Sequence, residues 1–259
     1  MTLDLMDTHC HLDSEPFEGD RDACVQRAVA AGVTRMITIG TGGGLAGARR
    51  AIEIAHNYPM VWASVGVHPH NAGEPFSANE LERFALEPKV VAIGETGLDT
   101  FRDWAPIEKQ RAAFELQIEL ARAVKKPLII HSRETGAECL ETLIRTGAGE
   151  VGGVFHCFSE DAEFAARLRD INFRISLPGQ LTFKRNHPLR DICREIPIEQ
   201  ILVETDAPYL SPEPYRGKRC EPAFVVETAR KLAEVKGLSL EEVAAITTRN
   251  ALELFSLIR

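Results

Sequence analysis

Short apolar runs alternate along the chain with longer stretches whose apolar positions recur every three or four residues. The runs at 3–8, 33–40, 61–67, 90–95, 127–132, 152–157, 172–177 and 200–205 read as strands. Helical patterns lie between them, as in Ile107 to Val124, where Phe114, Ile118 and Ala121 fall on one face. Asp20, Ser77 and Ser159 stand where helix N-caps are expected. Eight strand-like runs, most followed by a helix, predict an α/β fold: one (β/α)8 TIM barrel spanning residues 1–259 as a single domain. An open doubly wound sheet is the alternative, and the count of eight disfavours it.

Composition narrows the class. At 259 residues, 44% apolar and 26% charged, the chain is no disordered tail, collagen-like fibre or small stapled module. No stretch reaches the roughly 18–20 uninterrupted apolar residues of a membrane span. Met1-Thr2-Leu3-Asp4 shows no basic region leading into an apolar run, so no secretory signal is expected. Six cysteines without CxxC spacing read as reduced thiols, which predicts a cytoplasmic protein with no membrane partner. Thirty-eight acids against thirty bases give a net charge of −8, which disfavours a long basic face for duplex DNA. An enzyme acting on nucleic-acid ends stays open, because metal ions can supply the local positive charge.

The chemistry lies at the strand ends. These read Asp7-Thr8-His9-Cys10-His11, Gly66-Val67-His68-Pro69-His70, Gly94-Glu95-Thr96-Gly97-Leu98-Asp99, His131-Ser132-Arg133, Phe155-His156-Cys157 and Glu204-Thr205-Asp206. In a parallel barrel the C-terminal strand ends surround one mouth, where an active site forms. Alternation along a strand puts His9 and His11 on one face and turns Cys10 to the other. With Glu95, His131, His156 and Asp206 at other ends, so many ionisable groups would be costly without a divalent ion among them. Imidazole and carboxylate donors suit Zn, Mn or Mg-assisted chemistry. Glu204 reads as a buried acceptor behind a ligand. His68 reads as a substrate contact, a ligand or a structural histidine, while His56, His70 and His187 read as surface or capping residues. The loop after the last strand gathers Arg216, Lys218 and Arg219, which points to an anionic substrate.

These motifs, with Gly217 between the rim cations and Thr248-x-Asn250-Ala251-x-x-x-Phe255 near the C-terminus, resemble in order those of the TatD-type DNases. The resemblance implies a TIM barrel of the metal-dependent hydrolase superfamily and divalent-metal-dependent hydrolysis of DNA. It implies a first ion held by His9, His11 and Asp206, a second held by His131 and His156, and Glu95 bridging both. Three positions depart from the family pattern. Thr96 and Thr100 stand where it often has a hydrophobic residue and an aromatic, and Cys220 replaces its usual Asn.

The expected function is therefore phosphodiester hydrolysis with two divalent ions, metal-bound hydroxide attacking phosphorus, on single-stranded or end-containing DNA. Asp206 is the expected proton acceptor, and Glu95 and His68 complete the catalytic set. Arg133, Arg216, Lys218 and Arg219, with His68, are the expected substrate contacts. The rivals are an amidohydrolase or aminoacyl-tRNA deacylase, in which the attack falls on a carbonyl, and a metal-bound interaction protein without turnover.

Overall fold

The structure, a computed structural model, describes residues 3–257. Its strands are β1 (Leu5–Cys10), β2 (Val33–Gly40), β3 (Val61–Val65), β4 (Val90–Asp99), β5 (Leu128–Arg133), β6 (Gly153–Phe155), β7 (Phe173–Leu177) and β8 (Ile201–Val203). The helices are α1 (Arg21–Ala30), α2 (Leu45–Asn57), α3 (Ala78–Ala85), α4 (Ile107–Val124), α5 (Gly136–Thr146), α6 (Ala162–Asp170), α7 (His187–Glu195), α8 (Val225–Lys236) and α9 (Leu240–Leu254). The strands form one sheet in the order β1 to β8, and a parallel bridge from Cys10 to Ala207 returns the end of the last strand to the first. This is a near-closed (β/α)8, TIM-barrel-like fold, and each strand falls on a run read from the sequence. No helix among the described residues is long and apolar enough to cross a membrane.

By packing, the chain forms two compact units. One comprises the chain up to Ile37, Cys157–Arg167 and the chain from Ile175 onward; the other comprises Thr38–His156 and Leu168–Arg174. In the first, α9 lies against β1 and β8, with Ala251 and Phe255 buried. Its polar positions brace the strand starts: Thr248 Oγ1 donates to the Asp4 carbonyl at 3.0 Å, and Asn250 Nδ2 to those of Ile198 and Ile201 at 2.8 and 2.9 Å. The sequence motif near the C-terminus is thus a packing device, because each polar side chain satisfies carbonyls that a neighbouring apolar residue would strand.

In the second unit, β5 lies beside β4 and α4 lies against β4, with Leu128, Ile129, Ile130, Ile93, Phe114 and Ile118 all buried. Near-continuous apolar strands are what helices on the sheet's outer face require. Two buried glutamines of α4 interrupt that interior for a reason. Gln117 accepts from the Val67 N–H at 2.7 Å and donates to Val67 O and Thr96 Oγ1 at 3.0 and 2.7 Å. Gln110 accepts from the Asp99 N–H at 2.8 Å and donates to the Asp99 and Ala105 carbonyls at 3.1 and 2.9 Å. The end of β4 is thereby fixed, and Thr96 is explained as the partner of Gln117.

Two of the expected N-caps differ. Ser77 caps α3, its hydroxyl accepting from the Glu80 N–H at 3.2 Å. Asp20 precedes α1 without capping it, because two arginines take its carboxylate instead. Ser159 lies too early: α6 begins at Ala162, and Asp161 Oδ1 accepts from the Phe164 N–H at 2.7 Å.

Asn250→Ala leaves two carbonyls without their donor, and an unmet buried acceptor costs about 1–3 kcal/mol. Urea denaturation should show a lower midpoint with an unchanged m-value.

Candidate metal centre

His9, His11 and Asp206 come together because a buried carboxyl laces the ends of β1 and β8. Asp7 accepts from the Thr205 N–H at 2.9 Å, the Thr205 hydroxyl at 2.6 Å and the His9 N–H at 3.3 Å. Burial pushes Asp7 up to about 8 against the pull of the Thr205 hydrogen bonds. Beyond it, the Asp206 N–H donates to His9 O at 2.9 Å and the His11 N–H to Ala207 O at 2.7 Å. Asp206 Oδ1 then lies 3.3 Å from His11 Nε2 and 3.7 Å from His9 Nε2. Cys10 faces the other way, its thiol donating to Ile37 O at 3.3 Å, as strand alternation requires. Glu204 is fully buried, and its Oε1 accepts from the Cys157 N–H at 2.7 Å, fixing backbone just beyond β6.

A second set forms around Glu95. The pairing of β4 with β5 shifts register between Gly94 and Thr96, so Glu95 is the extra residue of a bulge. A bulge re-aims the side chain it carries. Glu95 Oε1 lies 2.7 Å from His131 Nδ1, 2.8 Å from His156 Nε2 and 3.4 Å from His68 Nε2. Burial alone would raise its pKa, but electrostatic interaction with His156 and His68 and the hydrogen bonds of His131 and His156 hold it well below the carboxylate range. His68 Nδ1 accepts from the His70 N–H at 3.1 Å, which leaves Nε2 as the hydrogen-bearing nitrogen of the neutral ring. Burial takes His68 down to about 4 despite the nearby Glu95 charge.

Asp99 belongs to this set, and its side chain is inaccessible to solvent. Its Oδ2 lies 3.0 Å from His131 Nε2 and 2.7 Å from His70 Nε2. Burial opposes ionisation of Asp99; hydrogen bonds from His131, the Arg102 backbone and His70 outweigh it and hold the carboxyl low. His131 is raised, burial being outweighed by its bonds to Asp99 and Glu95. The reading of His70 as a surface or capping residue is therefore corrected: its ring is one of Asp99's two imidazole partners. Gly97 sits between Glu95 and Asp99 at φ +139°, where a Cβ would fall 2.0 Å from His131 O. Only glycine lets β4 pass this close to β5.

The loop after β8 divides the three expected rim cations. Arg219 donates to Asp20 at 2.7 and 2.8 Å and to Glu221 at 2.9 Å, and it lies 4.7 Å over the Phe17 ring. Arg27 completes the network, reaching Glu221 at 2.7 and 2.9 Å. Arg216 lies 3.8 Å over Phe183 and donates to Ser211 O at 3.1 Å. Lys218 is exposed, 5.9 Å from the Tyr215 ring centroid. Cys220 is fully buried, and its N–H donates to Pro208 O at 3.0 Å. Arg133 lies 3.6 Å over Phe101.

The model of the TatD related DNase family matches residues 6–256. The chain belongs to the TatD-related DNase family. It is 39% identical over 253 residues to the uncharacterized metal-dependent hydrolase YabD of Bacillus subtilis, covering 97% of this chain and 98% of that protein. It is 33% identical over 261 residues to the 3'-5' ssDNA/RNA exonuclease TatD of Salmonella typhimurium, covering 98% of this chain and all of the other. The crystal structure of YjjV, a TatD homologue from Escherichia coli K12, superposes with a TM-score of 0.92 at 32% identity over 99% of both chains. The chain is accordingly a metal-dependent hydrolase of the TatD family.

Its residues fit a divalent ion in both sets. His9, His11 and Asp206 offer donor atoms within 4.8 Å of one another, and Glu95 Oε1 lies 2.7 Å from His131 Nδ1 and 2.8 Å from His156 Nε2. Nitrogen and oxygen donors without sulfur are the set that Zn or Mn accepts, and carboxylates also suit Mg. Asp99 behind His131 supplies the carboxylate–imidazole pairing that orients a metal-binding histidine. That is the role the sequence reading gave to Glu204.

The rim network carries a pH signature. Hydrogen bonds from Arg219 and Arg27 hold Asp20 well below its usual value, and the same arginines outweigh burial to lower Glu221. Depressed carboxyls stabilise fully above the unfolded carboxylate pKa of about 4 and lose that contribution as pH falls through the folded values. Melting temperatures measured from pH 6 down to pH 3 should fall less steeply in Arg219→Gln than in the parent protein.

Proposed function

We propose that this protein is a divalent-metal-dependent phosphodiesterase that trims single-stranded DNA from its ends. The observation that carries the reading is the pair of imidazole–carboxylate sets at barrel strand ends, in a chain of the TatD-related DNase family. His9, His11 and Asp206 would hold one ion, and Glu95, His131 and His156 another, as the resemblance to the family implies. When bound, such ions polarise a phosphoryl oxygen, lower the pKa of a water and neutralise the leaving oxygen. Asp206 accepts the proton of the attacking water. His68, whose low pKa keeps the ring neutral, donates through Nε2 to a phosphate oxygen. Arg133, Arg216 and Lys218 hold flanking phosphates. Arg219 is assigned to the rim network because Asp20 and Glu221 already engage it. The name of the Salmonella relative supports both the single-stranded substrate and the attack from an end.

End-labelled single-stranded DNA should be degraded with Mn or Mg and not with chelator, while a closed circle of the same sequence stays intact. Equal cleavage of circle and linear strand contradicts end-trimming. Cleavage of neither, with turnover of an amide or aminoacyl ester, transfers the chemistry to a carbonyl.

Glu95→Gln should abolish most turnover and lower the bound metal, because a neutral amide is a poor ligand to two cations. Asp99→Asn should weaken metal binding by about 10–100-fold, the usual cost of losing the group behind a ligand. Calorimetric metal titration reads both.

Each phosphate neutralised on a single strand contributes about −0.7 to the log–log salt slope, so three cations give a slope near −2. Arg216→Gln and Lys218→Gln should each flatten it by about 0.7, and Arg219→Gln should leave it unchanged.

A further inference from the structure

The loop from β4 to α4 displays two large aromatic side chains to solvent. Phe101 is 47% exposed and Trp104 65%. The loop beneath them is firmly held. The Phe101 and Arg102 N–H groups donate to Asp99 Oδ1 at 2.9 and 3.0 Å. Gln110 holds Asp99 and Ala105 on either side, and Ala105 packs in a small apolar cluster with Ala72, Ala113 and Phe76. An ordered loop that leaves its two rings in water while burying its alanine presents those rings for contact.

Cations frame the rings. Arg133 lies 3.6 Å over Phe101, and Arg102 lies 5.2 Å from Phe101 and 5.7 Å from Trp104. The Trp104 ring centroid is 4.4 Å from that of His70, whose imidazole is bonded to the Asp99 carboxylate that also orients His131. The patch therefore joins directly onto the Glu95 set. Flat aromatic faces beside guanidinium groups match one chemical pairing: a flat π-system attached to an anion. An unpaired nucleobase with its phosphate has both parts. A base inside a duplex has its faces covered by its neighbours.

We propose that Trp104 and Phe101, with Arg102 and Arg133, form a stacking platform for one unpaired base of the substrate strand next to the Glu95 set. The proposal rests on the phosphodiesterase reading and adds a subsite to it. Thr100 stands where the family pattern often has an aromatic; the exposed ring here is carried by Phe101, the next residue along.

The chain has two tryptophans. Trp62→Phe therefore leaves Trp104 as the only indole reporter in the full-length, Mg-supplied protein. Its fluorescence should be quenched by an uncleavable phosphorothioate oligothymidine and left unchanged by the same backbone without bases. Base–aromatic stacking is lost with an alanine substitution at a cost of about 5- to 150-fold in affinity. Trp104→Ala should accordingly raise KM on single-stranded DNA by about that factor with kcat little changed, Trp104→Phe should restore most of it, and cleavage of an abasic strand should be indifferent to both. DNA cleavage with no quenching and an unchanged KM in Trp104→Ala overturns the platform and leaves the phosphodiesterase reading standing. Base-dependent quenching without cleavage of any strand supports the platform and removes the phosphodiesterase reading. Equal quenching by the abasic backbone also overturns it, because the contact then does not involve a base.

Discussion

The Asp99 carboxylate is the interaction on which most of this centre depends. One oxygen faces two imidazoles, those of His131 and His70, and the other takes the two N–H groups that open the β4–α4 loop. A buried carboxylate is costly unless each oxygen is satisfied, and here the partners that satisfy it are the groups whose positions matter. His131 is held between Asp99 and Glu95 by its two ring nitrogens, which fixes its ring plane. Ligands already oriented need no reorganisation on binding. The same carboxylate sets the loop that carries Phe101 and Trp104. Ligand geometry and the proposed base contact thus share one anchor.

Asp7 performs the corresponding service for the other set by a different balance. It is buried at the base of His9, and its three hydrogen bonds come from Thr205 and the His9 backbone. Its task is to hold β1 against β8 so that His9, His11 and Asp206 meet. Asp99 is kept ionised by imidazoles, whereas Asp7 is pushed toward its neutral form by burial. Two buried acids with opposite titration behaviour are what results when one is surrounded by imidazole donors and the other by backbone and hydroxyl groups.

The barrel was legible because its strands are apolar runs separated by amphipathic helices, and the centre was legible because imidazoles and carboxylates cluster where those runs end. Glu95, His131 and His156 could be found that way, as could His9, His11 and Asp206. Asp99 lies in the strand-end run read from the sequence, but a strand ended at Glu95 gives it no role: the bulge hides that β4 continues to Asp99. His70 was read as a surface or capping residue because its partner, Asp99, lies 29 residues away in the sequence. Arg219 looked equivalent to Arg216 and Lys218 because its partners, Asp20 and Arg27's neighbour Glu221, include one that is distant in sequence. Local spacing can identify a cation but cannot reveal which distant acid engages it.

The separate engagement of Arg219 bears on how an acidic protein would hold the polyanion proposed as its substrate. With a net charge of −8, a long basic track is not available, and Arg219 is committed to carboxylates. Cations that grip phosphates do so by an interaction that weakens with salt, because counterions are released as phosphates are neutralised. Stacking on an aromatic face has no such dependence, since the contact is made by dispersion and by excluding water from two flat surfaces. An acidic enzyme that relies on a few phosphates and one stacked base gains affinity without covering itself in positive charge. It also gains a means of choice, because a stacking face is satisfied by a splayed base and meets nothing comparable on a closed duplex. On the proposed reading, the aromatic pair beside Asp99 would supply what a few cations cannot, an attachment that salt does not weaken.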